Sequence, residues 1–403
     1  MSPPLISRNA DLRRLLEDGY EVRVRGSHLV ITHVPYVNAR REVAYGSLVS
    51  TLHLSGDITQ KPDTHVAHFI GEHPCREDGS EIATIKHSSQ RQRLDEGLEI
   101  EHSFSSRPTH GNGYADYHEK MTTYIAIISG PAEALIPEAT ARTWKVTATE
   151  DPDSVFEYLD TASSRAGISA IARKLELASV AIVGLGGTGS YVLDLVAKTG
   201  VRAVHLFDGD QFLQHNAFRS PGAATLDELR AVPSKVEYLK ARYAAMHRGL
   251  HAHAYDISAA NVEELRGMGF VFLCLDKGRA KRVIIEKLHQ WGVPFVDVGM
   301  GIQESDGQLG GILRVTVSTA ERKDHVYTRI SFGDGDRNDD YARNIQIADL
   351  NALNAALAVM KWKKLFGFYR DLEREHSSFF TTDGNHLTNE DHTHAGAGEA
   401  SAA

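Results

Sequence analysis

The sequence contains very little cysteine, only two residues in 403. So few cysteines exclude a disulfide framework and a zinc site built from two Cys-x-x-Cys pairs. The chain also lacks the run of about 18 apolar residues that a membrane helix needs, and its N-terminus lacks the basic-then-apolar order of a signal peptide. We therefore expect a cytoplasmic protein with no zinc and no membrane partner.

An excess of positive charge is missing as well. Lysine and arginine total 44 residues against 53 aspartates and glutamates, which gives a net charge of −9 at pH 7. That balance disfavours nucleic acid as a partner. The apolar content of 42% is ordinary for a globular protein, and the length allows two or three domains with sizeable cores.

What the chain does have is a glycine-rich turn between a predicted strand at 180–183 and a predicted helix. Gly184 can adopt the positive φ of the turn, Gly186 and Gly187 remove the Cβ atoms that would hold a phosphate away, and Gly189 lets the helix approach the strand. This arrangement predicts a nucleotide phosphate at the helix N-terminus. By itself the turn also fits an NAD-dependent oxidoreductase.

Charged residues farther along the chain distinguish between these two chemistries. Asp208 ends the next predicted strand, at the position of the acid that binds a ribose hydroxyl, and Asp210 follows it. Arg219 and Lys235 can neutralise a triphosphate, and Asp276, at the end of a third apolar strand, can hold Mg²⁺. Hydride transfer needs none of the last three residues, whereas transfer of an adenylyl group from ATP needs all of them.

This order of elements resembles the ThiF/MoeB-type adenylyltransferases, the superfamily of the ubiquitin-activating enzymes. The resemblance covers roughly residues 165–370 and leaves an additional N-terminal domain outside it. The residues that match the family pattern are Gly184, Gly186, Gly187, Gly189, Asp208, Asp210, Asn216, Arg219, Lys235 and Asp276.

The resemblance implies an enzyme that uses ATP and Mg²⁺ to adenylate the C-terminal carboxylate of a ubiquitin-like protein, with release of pyrophosphate. It implies catalytic roles for Arg219, Lys235 and Asp276, with Asp276 also the metal ligand, and a role for Asn216 in fixing the loop that presents Arg219. Family members also use an arginine from the segment before the first strand, often donated by the partner subunit, for which Arg165 is the candidate. A homodimer is implied, and a conjugating enzyme is a further candidate partner.

Two other functions remain open from the sequence. One is an inactive nucleotide-binding scaffold on the same fold, and the other, weaker one is an NAD-dependent oxidoreductase. Cys274 lies inside an apolar strand and is expected to be an inert thiol, and Cys75 lies far upstream. We therefore expect adenylation without a thioester step on this chain, or transfer of the activated tail to a separate protein.

The expected fold is α/β, with a Rossmann-like adenylation domain over residues 155–390 and a mainly parallel sheet. A smaller α+β domain precedes it over residues 1–150, and a disordered tail follows over 391–403. The patterns predict helices at 11–17, 155–161, 234–246, 280–290 and 345–365, strands at 20–24, 28–32, 67–70, 82–86, 123–128, 270–275, 295–299, 310–317 and 377–382, and a crossover loop at 322–344.

Two regions outside the central motif leave alternatives open. The first domain is either a partner-recognition domain or an inactive relative of the conjugating enzymes, with Cys75 in place of the asparagine of a His-Pro-Asn segment and Ala83 where the catalytic cysteine is expected. Its many histidines match no zinc spacing, so core or solvated histidines are favoured over a metal site that would include His65, His68 and Cys75. In the last part of the chain, glycines at 299, 301, 307, 310 and 311 suit either close passage of an extended Gly-Gly tail or ordinary hairpin turns.

Overall fold

The computed structural model describes residues 3–56, 58–108, 111, 113–145, 154–158, 160–166, 168–333 and 345–393. The chain divides into two compact units, Met1–Ser169 and Ala170–Ala403. Of the disordered tail predicted over 391–403, residues 394–403 lie outside the described residues, as do residues 334–344 of the predicted crossover loop. The start of that tail at 391 is wrong, because Asp391 forms an ion pair with Arg329 at 2.9 Å. Over the described ranges, no helix has the length and apolar character needed to cross a membrane.

The N-terminal unit contains a six-stranded antiparallel sheet in the order β1-β2-β3-β6-β10-β7. Its core packs the sheet against α2 and α3. The helices are α1 Pro3–Arg8, α2 Ala10–Glu17, α3 Tyr117–Leu135 and α4 Thr161–Arg165, and the strands are β1 Glu21–Arg25, β2 His28–Val37, β3 Val43–Thr51, β4 Leu54–Ser55, β5 Ile58–Thr59, β6 Val66–Ile70, β7 Lys86–Ser88, β8 Gln92–Asp95, β9 Leu98–Ile100 and β10 His102–Ser105.

The strand predicted at 123–128 is wrong, because these residues lie inside the helix α3. Asp116 caps this helix, since its side chain accepts a hydrogen bond from the backbone N–H of Glu119 at 2.8 Å. Tyr117, Met121 and Ile128 are fully buried at helical spacing. The apolar period extends over 19 residues, so a short window of it was mistaken for a strand.

Two other local predictions in the N-terminal unit are also wrong. Residues 83–85 form a turn, and only Lys86 of the predicted strand 82–86 belongs to β7. The helix predicted at 155–161 begins only at Thr161. Asp160 sets that start, because its side chain accepts hydrogen bonds from the backbone N–H groups of Ala162 and Ser163 at 3.1 and 3.0 Å.

The C-terminal unit contains an eight-stranded mixed sheet in the order β13-β12-β11-β14-β15-β16-β17-β18. The first five strands of this order are parallel and the last three pair antiparallel. The helices are α5 Ser169–Ala172, α6 Gly187–Val196, α7 Gln214–Ala217, α8 Leu226–Arg230, α9 Lys235–Tyr243, α10 Gly278–Trp291, α11 Val326–Arg329 and α12 Ala348–Leu365, and the strands are β11 Val180–Val183, β12 Val204–Phe207, β13 Leu250–His253, β14 Phe270–Leu273, β15 Phe295–Ser305, β16 Gln308–Ser318, β17 Ser377–Thr381 and β18 His386–Glu390.

This topology confirms the predicted α/β class with a Rossmann-like second domain. Buried residues of α6, α9 and α12 cover one face of the sheet, and buried residues of α10 and α11 cover the other. The chain order of the strands reverses between β11 and β14, which are hydrogen-bonded neighbours. In open parallel sheets a ligand crevice forms at the carboxyl ends of the strands at such a reversal.

Candidate nucleotide-binding cleft

A cleft of about 950 Å³ opens at the carboxyl ends of β11, β12 and β14 and continues along the β15–β16 hairpin. The predicted residues that line it are Gly184, Gly186, Asp208, Asp210, Arg219, Lys235 and Asp276. A single cavity therefore brings together most of the residues that the sequence assigned to one chemistry, although the residues that make up the motif span more than 90 positions of the chain.

The structure shows, for each glycine of the turn, what a side chain at that position would meet. Gly184 has φ of +90°, and a Cβ there would lie 2.8 Å from the carbonyl of Cys274. A Cβ on Gly189 would lie 1.9 Å from the carbonyl oxygen of Gly184, and one on Gly187 would lie 2.0 Å from Asn351. Only Gly186 faces open space. Close packing therefore requires three of the glycines, and Gly186 is the one that leaves room for a phosphate beside the N-terminus of α6.

Asp208 and Lys235 form a buried network at the end of β12, each with 6% of its surface exposed. Asp208 accepts hydrogen bonds from the backbone N–H of Leu185 at 2.6 Å and of Asp210 at 2.9 Å. The Lys235 ammonium lies 3.4 Å from Asp208 and 2.6 Å from the largely exposed carboxylate of Asp210. Asp208 thus ties the glycine turn to β12, and its remaining acceptor sites can receive a ribose hydroxyl.

A second ion pair lies beside this network. Lys277, just after β14, donates to Asp256 at 2.5 Å, and Asp256 also accepts from the backbone N–H of Gly209 at 3.2 Å. The hydrogen bond from Lys277 holds the pKa of Asp256 below its usual value. Both residues line the cleft. The lysines at this end of the cleft, Lys235 and Lys277, therefore both have carboxylate partners.

Arg219 differs from these lysines. It lines the cleft, and within the described part of the chain no carboxylate lies within ion-pair distance of it and its Nε is buried without a hydrogen-bond partner. Asn216 is buried outside the cleft, and its side-chain oxygen accepts from the backbone N–H of Leu213 at 2.8 Å. The Asn216 carbonyl accepts from the backbone N–H of Arg219 at 3.1 Å. Asn216 therefore stabilises the turn that carries Arg219 and does not itself line the cavity.

Asp276 lies exposed in the loop that joins β14 to α10 and lines the cleft. The described residues contain no group of three or more histidine, cysteine, aspartate or glutamate side chains that could hold a metal ion. A single carboxylate suits Mg²⁺ that arrives on a nucleotide, since Mg²⁺ is commonly bound by one or two carboxylates together with phosphate oxygens and water. The residue fits such an ion, and its assignment as a metal ligand stays a prediction.

Two buried asparagines of α12 line the cleft and were missed at the sequence level. Asn351 accepts a hydrogen bond from the Thr188 hydroxyl at 3.0 Å and donates to the backbone carbonyl of Arg219 at 3.4 Å. Asn354, one turn later, donates to the carbonyl of Gly299 at 3.1 Å. Asparagine is unusual on a fully buried helix face, so two of them three residues apart were the available signal. Asn351 therefore links the glycine turn at 184–189, which we call the phosphate turn after its predicted ligand, to the loop that carries Arg219.

A buried charge cluster at the hairpin end of the cleft was missed as well. Asp297 of β15 is fully buried, and its two oxygens lie 2.7 Å from the Lys281 ammonium and 2.6 Å from Nη2 of Arg314. Arg314 also donates through Nη1 to the Thr316 hydroxyl at 2.9 Å. Lys281 and Arg314 line the cleft. An aspartate within an apolar strand pattern was the sequence signal for this cluster.

The five glycines near the hairpin are mostly explained by the packing of the chain itself. A Cβ on Gly299 would lie 2.7 Å from the Arg314 guanidinium, and one on Gly310 would lie 2.6 Å from Asp383. Gly307 and Gly311 have φ of +75° and +157°, and a Cβ on Gly311 would also meet the opposite strand. Gly301 and Gly307 both face open space, and of the five glycines only Gly301 has neither a close neighbour nor a positive φ. Turns and close packing thus account for four positions, and one remains for passage of an extended tail.

Neither cysteine is suited to act as a nucleophile, and the side chain of Arg165 is not among the described residues. Cys274 lines the cleft, but burial raises the pKa of its thiol. Burial and the carboxylate of Glu81 raise the pKa of Cys75, which is 1% exposed in the N-terminal unit. Ala83 is exposed on a turn. Arg165 ends α4, and its side chain lies outside the described residues, so its assignment stays a prediction.

Comparison with known proteins places this geometry in context. A model of the ThiF family matches residues 161–394, more than half of the chain. A second model, described as a domain of unknown function (DUF6791), matches residues 10–161.

The curated relatives align over a shorter stretch. Ubiquitin-like modifier-activating enzyme 5 of Gallus gallus is 26% identical over 159 residues, which cover 37% of this chain and 40% of the relative. The protein of the same name from Aedes aegypti is 23% identical over the same length and the same shares. The match therefore spans about two fifths of the length of these relatives. Among solved structures, MccB of E. coli with ATP is 17% identical, with a TM-score of 0.42 over 55% of this chain and 66% of that chain.

Proposed function

This chain belongs to the ThiF family, and we propose that it is a nucleotidyltransferase that uses Mg·ATP to adenylate the C-terminal carboxylate of a ubiquitin-like protein. The observation that carries this proposal is the cleft in which Arg219, which has no carboxylate partner among the described residues, lies together with the phosphate turn and Asp276. A guanidinium that lines a cleft and has a buried Nε without a described partner favours an anionic ligand. The name of the curated relatives, ubiquitin-like modifier-activating enzyme, supports a ubiquitin-like acceptor.

In the proposed reaction an oxygen of the acceptor carboxylate attacks the α-phosphorus of ATP. The bond between that phosphorus and the oxygen bridging to the β-phosphate breaks, and pyrophosphate leaves with the bonding electrons. No proton has to be removed from an ionised carboxylate, so no general base is required. Rate enhancement then comes from positioning and from stabilisation of developing negative charge.

Different residues of the cleft bind the phosphates, the ribose and the metal ion in this proposal. The N–H groups at the start of α6 receive phosphate oxygens where Gly186 leaves room. Arg219 stabilises the charge that develops on the departing pyrophosphate, and Asp208 receives a ribose hydroxyl. Asp276 would hold Mg²⁺, which supplies charge neutralisation of the phosphates when bound. Lys235 exchanges part of its contact with the exposed carboxylate of Asp210 for a phosphate oxygen.

Incorporation of labelled pyrophosphate into ATP tests the reaction. The full-length protein, Mg²⁺ and ATP are combined with labelled pyrophosphate and one candidate ubiquitin-like protein at a time. We expect exchange that depends on an acceptor with a free C-terminal carboxylate and that is lost when the acceptor lacks its last residue. Binding of ATP with no exchange for any acceptor would instead support the inactive scaffold.

Calorimetric titration tests the nucleotide. A triphosphate gains charge-assisted contacts with Arg219 that the ribose and nicotinamide of a dinucleotide, which carry no negative charge, cannot make, each worth about 1.5–3 kcal/mol. We therefore expect Mg·ATP to bind more tightly than NAD, and Arg219→Ala to reduce the difference. Tighter binding of NAD than of Mg·ATP would overturn the adenylyltransferase and restore the oxidoreductase.

A further inference from the structure

At the base of the hairpin, two cations of the cleft lie within ion-pair distance of one carboxylate, and the other carboxylate that lines this end of the cleft, Asp383, lies against Gly310 and Gly311. Lys281 and Arg314 have side chains only 7% and 14% exposed, and the fully buried Asp297 is the only carboxylate described within ion-pair distance of either. Burial of an uncompensated positive charge is costly unless an anion occupies the adjacent space. A purely structural ion pair would need only one of the two cations.

The position of this cluster in the sheet separates it from the nucleotide. Sheet order runs from β12, which carries Asp208, through β11 and its glycine turn, to β14, which leads to Asp276, and then to β15 and β16. Neighbouring strands lie about 4.8 Å apart. Asp297 and Arg314 therefore lie on the side of Asp276 that faces away from the phosphate turn.

Arg314 retains hydrogen-bonding capacity toward the cavity. Its Nη1 and Nη2 groups donate to Thr316 and Asp297, and its Nε has no acceptor in the part of the chain that the structure describes. The guanidinium crosses over Gly299, where a Cβ would lie 3.0 Å from Nε. Gly301, two residues along the same strand, leaves open space. An extended chain passing Gly301 could therefore end beside a partly free guanidinium.

We propose that Lys281 and Arg314, held in place by Asp297, form the subsite that binds the terminal carboxylate of the acceptor and directs it toward the α-phosphorus. This inference rests on the proposed adenylation. The cluster carries a net charge of +1 and gains a monoanion, so the pair becomes neutral when the acceptor is bound. Asp297 fixes the spacing of the two cations, and Asp276 lies between the carboxylate and the phosphate turn.

The test uses the full-length protein saturated with Mg²⁺ and the α,β-methylene analogue of ATP, which blocks turnover. The probes are acetyl-Ala-Ala-Gly-Gly with a free carboxylate and the same peptide as the C-terminal amide, titrated by calorimetry. Two charge-assisted contacts predict that the wild type binds the carboxylate about 10- to 100-fold more tightly than the amide. Arg314→Gln and Lys281→Gln should each bring this ratio close to one, while affinity for the nucleotide analogue changes little.

Matched variants show whether a lost preference comes from the missing charge, from a loss of folding or from the position of the charge. Arg314→Lys and Lys281→Arg keep the charge and should retain part of the preference. They keep the subsite testable if a glutamine variant fails to fold. Lys198→Gln removes one positive charge from a side chain that is 50% exposed and does not line the cleft, and it should leave the ratio of carboxylate to amide affinity unchanged.

Each other outcome counts against the subsite. Equal binding of the two peptides by the wild type overturns it, as does a preference that persists in both glutamine variants. A fall in analogue affinity with the preference intact would assign the two cations to the phosphates. Failure of the wild type to bind the analogue at all would overturn the proposed function itself, before any peptide is added.

Discussion

The two ends of the cleft differ in how their positive charges are compensated. At the nucleoside end, formed by the residues after β12, β13 and β14, Lys235 and Lys277 have carboxylate partners at 2.6 and 2.5 Å. At the acceptor end, formed by β15, β16 and α10, Lys281 and Arg314 share one carboxylate. Three carboxylates, Asp208, Asp210 and Asp256, thus compensate two lysines at the nucleoside end, whereas at the acceptor end two cations compete for Asp297.

Arg219, between the two ends, should give the largest loss when it is replaced. Because no described carboxylate neutralises it, Arg219→Ala should remove one of the main stabilising charges and lower pyrophosphate exchange roughly 10²- to 10³-fold. The adjacent Phe218→Ala removes a side chain that is 79% exposed and serves as the control.

Steady-state exchange with both variants, at saturating ATP, measures this difference. Equal activity of Arg219→Ala and the Phe218→Ala control would mean that the guanidinium of Arg219 plays no part in the reaction.

Asp276 should give the next largest effect. If it positions Mg²⁺ between the nucleoside and acceptor ends, Asp276→Asn should retain most of the ATP affinity while exchange falls roughly 10²-fold. Asp227→Asn changes a carboxylate that is 92% exposed on a surface helix and provides the matched control. Calorimetry gives the affinity and pyrophosphate exchange gives the rate. Wild-type turnover in Asp276→Asn would remove this residue from the mechanism.

The nucleoside end was the predictable part of the molecule. Its residues follow parallel strands in chain order, so alternation of apolar strands with Gly184, Asp208 and Asp276 predicted both the sheet and which side chains meet at its edge. The predicted strands 180–183 and 270–275 and the predicted helix 234–246 were found within a few residues of those limits, whereas β13, α7 and α8 were not predicted. Local patterns suffice where topology brings strand ends together.

The acceptor end could not be predicted in the same way, because it depends on pairing across an antiparallel hairpin. The register that places Gly299 opposite Arg314 sets the contact of Arg314 with Asp297, and no local pattern specifies that register. Nor could the sequence show that four of the hairpin glycines serve packing and turns. In the N-terminal unit, residues 123–128 of α3 were predicted as a strand, because a window of six apolar-rich residues is too short to show the helical period.

The asparagines of α12 allow a finer test of the comparison. Asn351 contacts Thr188 and the carbonyl of Arg219, whereas Asn354 contacts the carbonyl of Gly299 in β15. Loss of one buried hydrogen-bonding side chain costs about 1–3 kcal/mol. We therefore expect Asn351→Ala to lower kcat about 10-fold, and Asn354→Ala to act mainly on the KM for the acceptor.

The same kinetic constants for both asparagine variants would show that α12 acts on the cleft only as packing. The conservative changes Asn351→Ser and Asn354→Ser retain a short hydrogen-bonding group and should recover part of each effect. Thermal unfolding of all four variants shows how much of any loss reflects stability, and circular dichroism confirms that each remains folded.

The cysteines should give the smallest effect, because neither is suited to form a thioester. A thiolate is the nucleophile in that chemistry, and burial raises the pKa of both Cys75 and Cys274. Cys274 also lies at the end of β14 against the glycine turn, where a Cβ on Gly189 would be 3.2 Å from its own Cβ. The thiol is therefore part of the packing between the two ends.

We expect the double variant Cys75→Ala, Cys274→Ala to retain pyrophosphate exchange within about threefold, since adenylation requires no thiol. Exchange and denaturing gels without reductant measure the outcome together. An acceptor adduct that is cleaved by reductant and lost in Cys75→Ala alone would assign a carrier role to the N-terminal unit, and one lost in Cys274→Ala alone would place a covalent step inside the cleft.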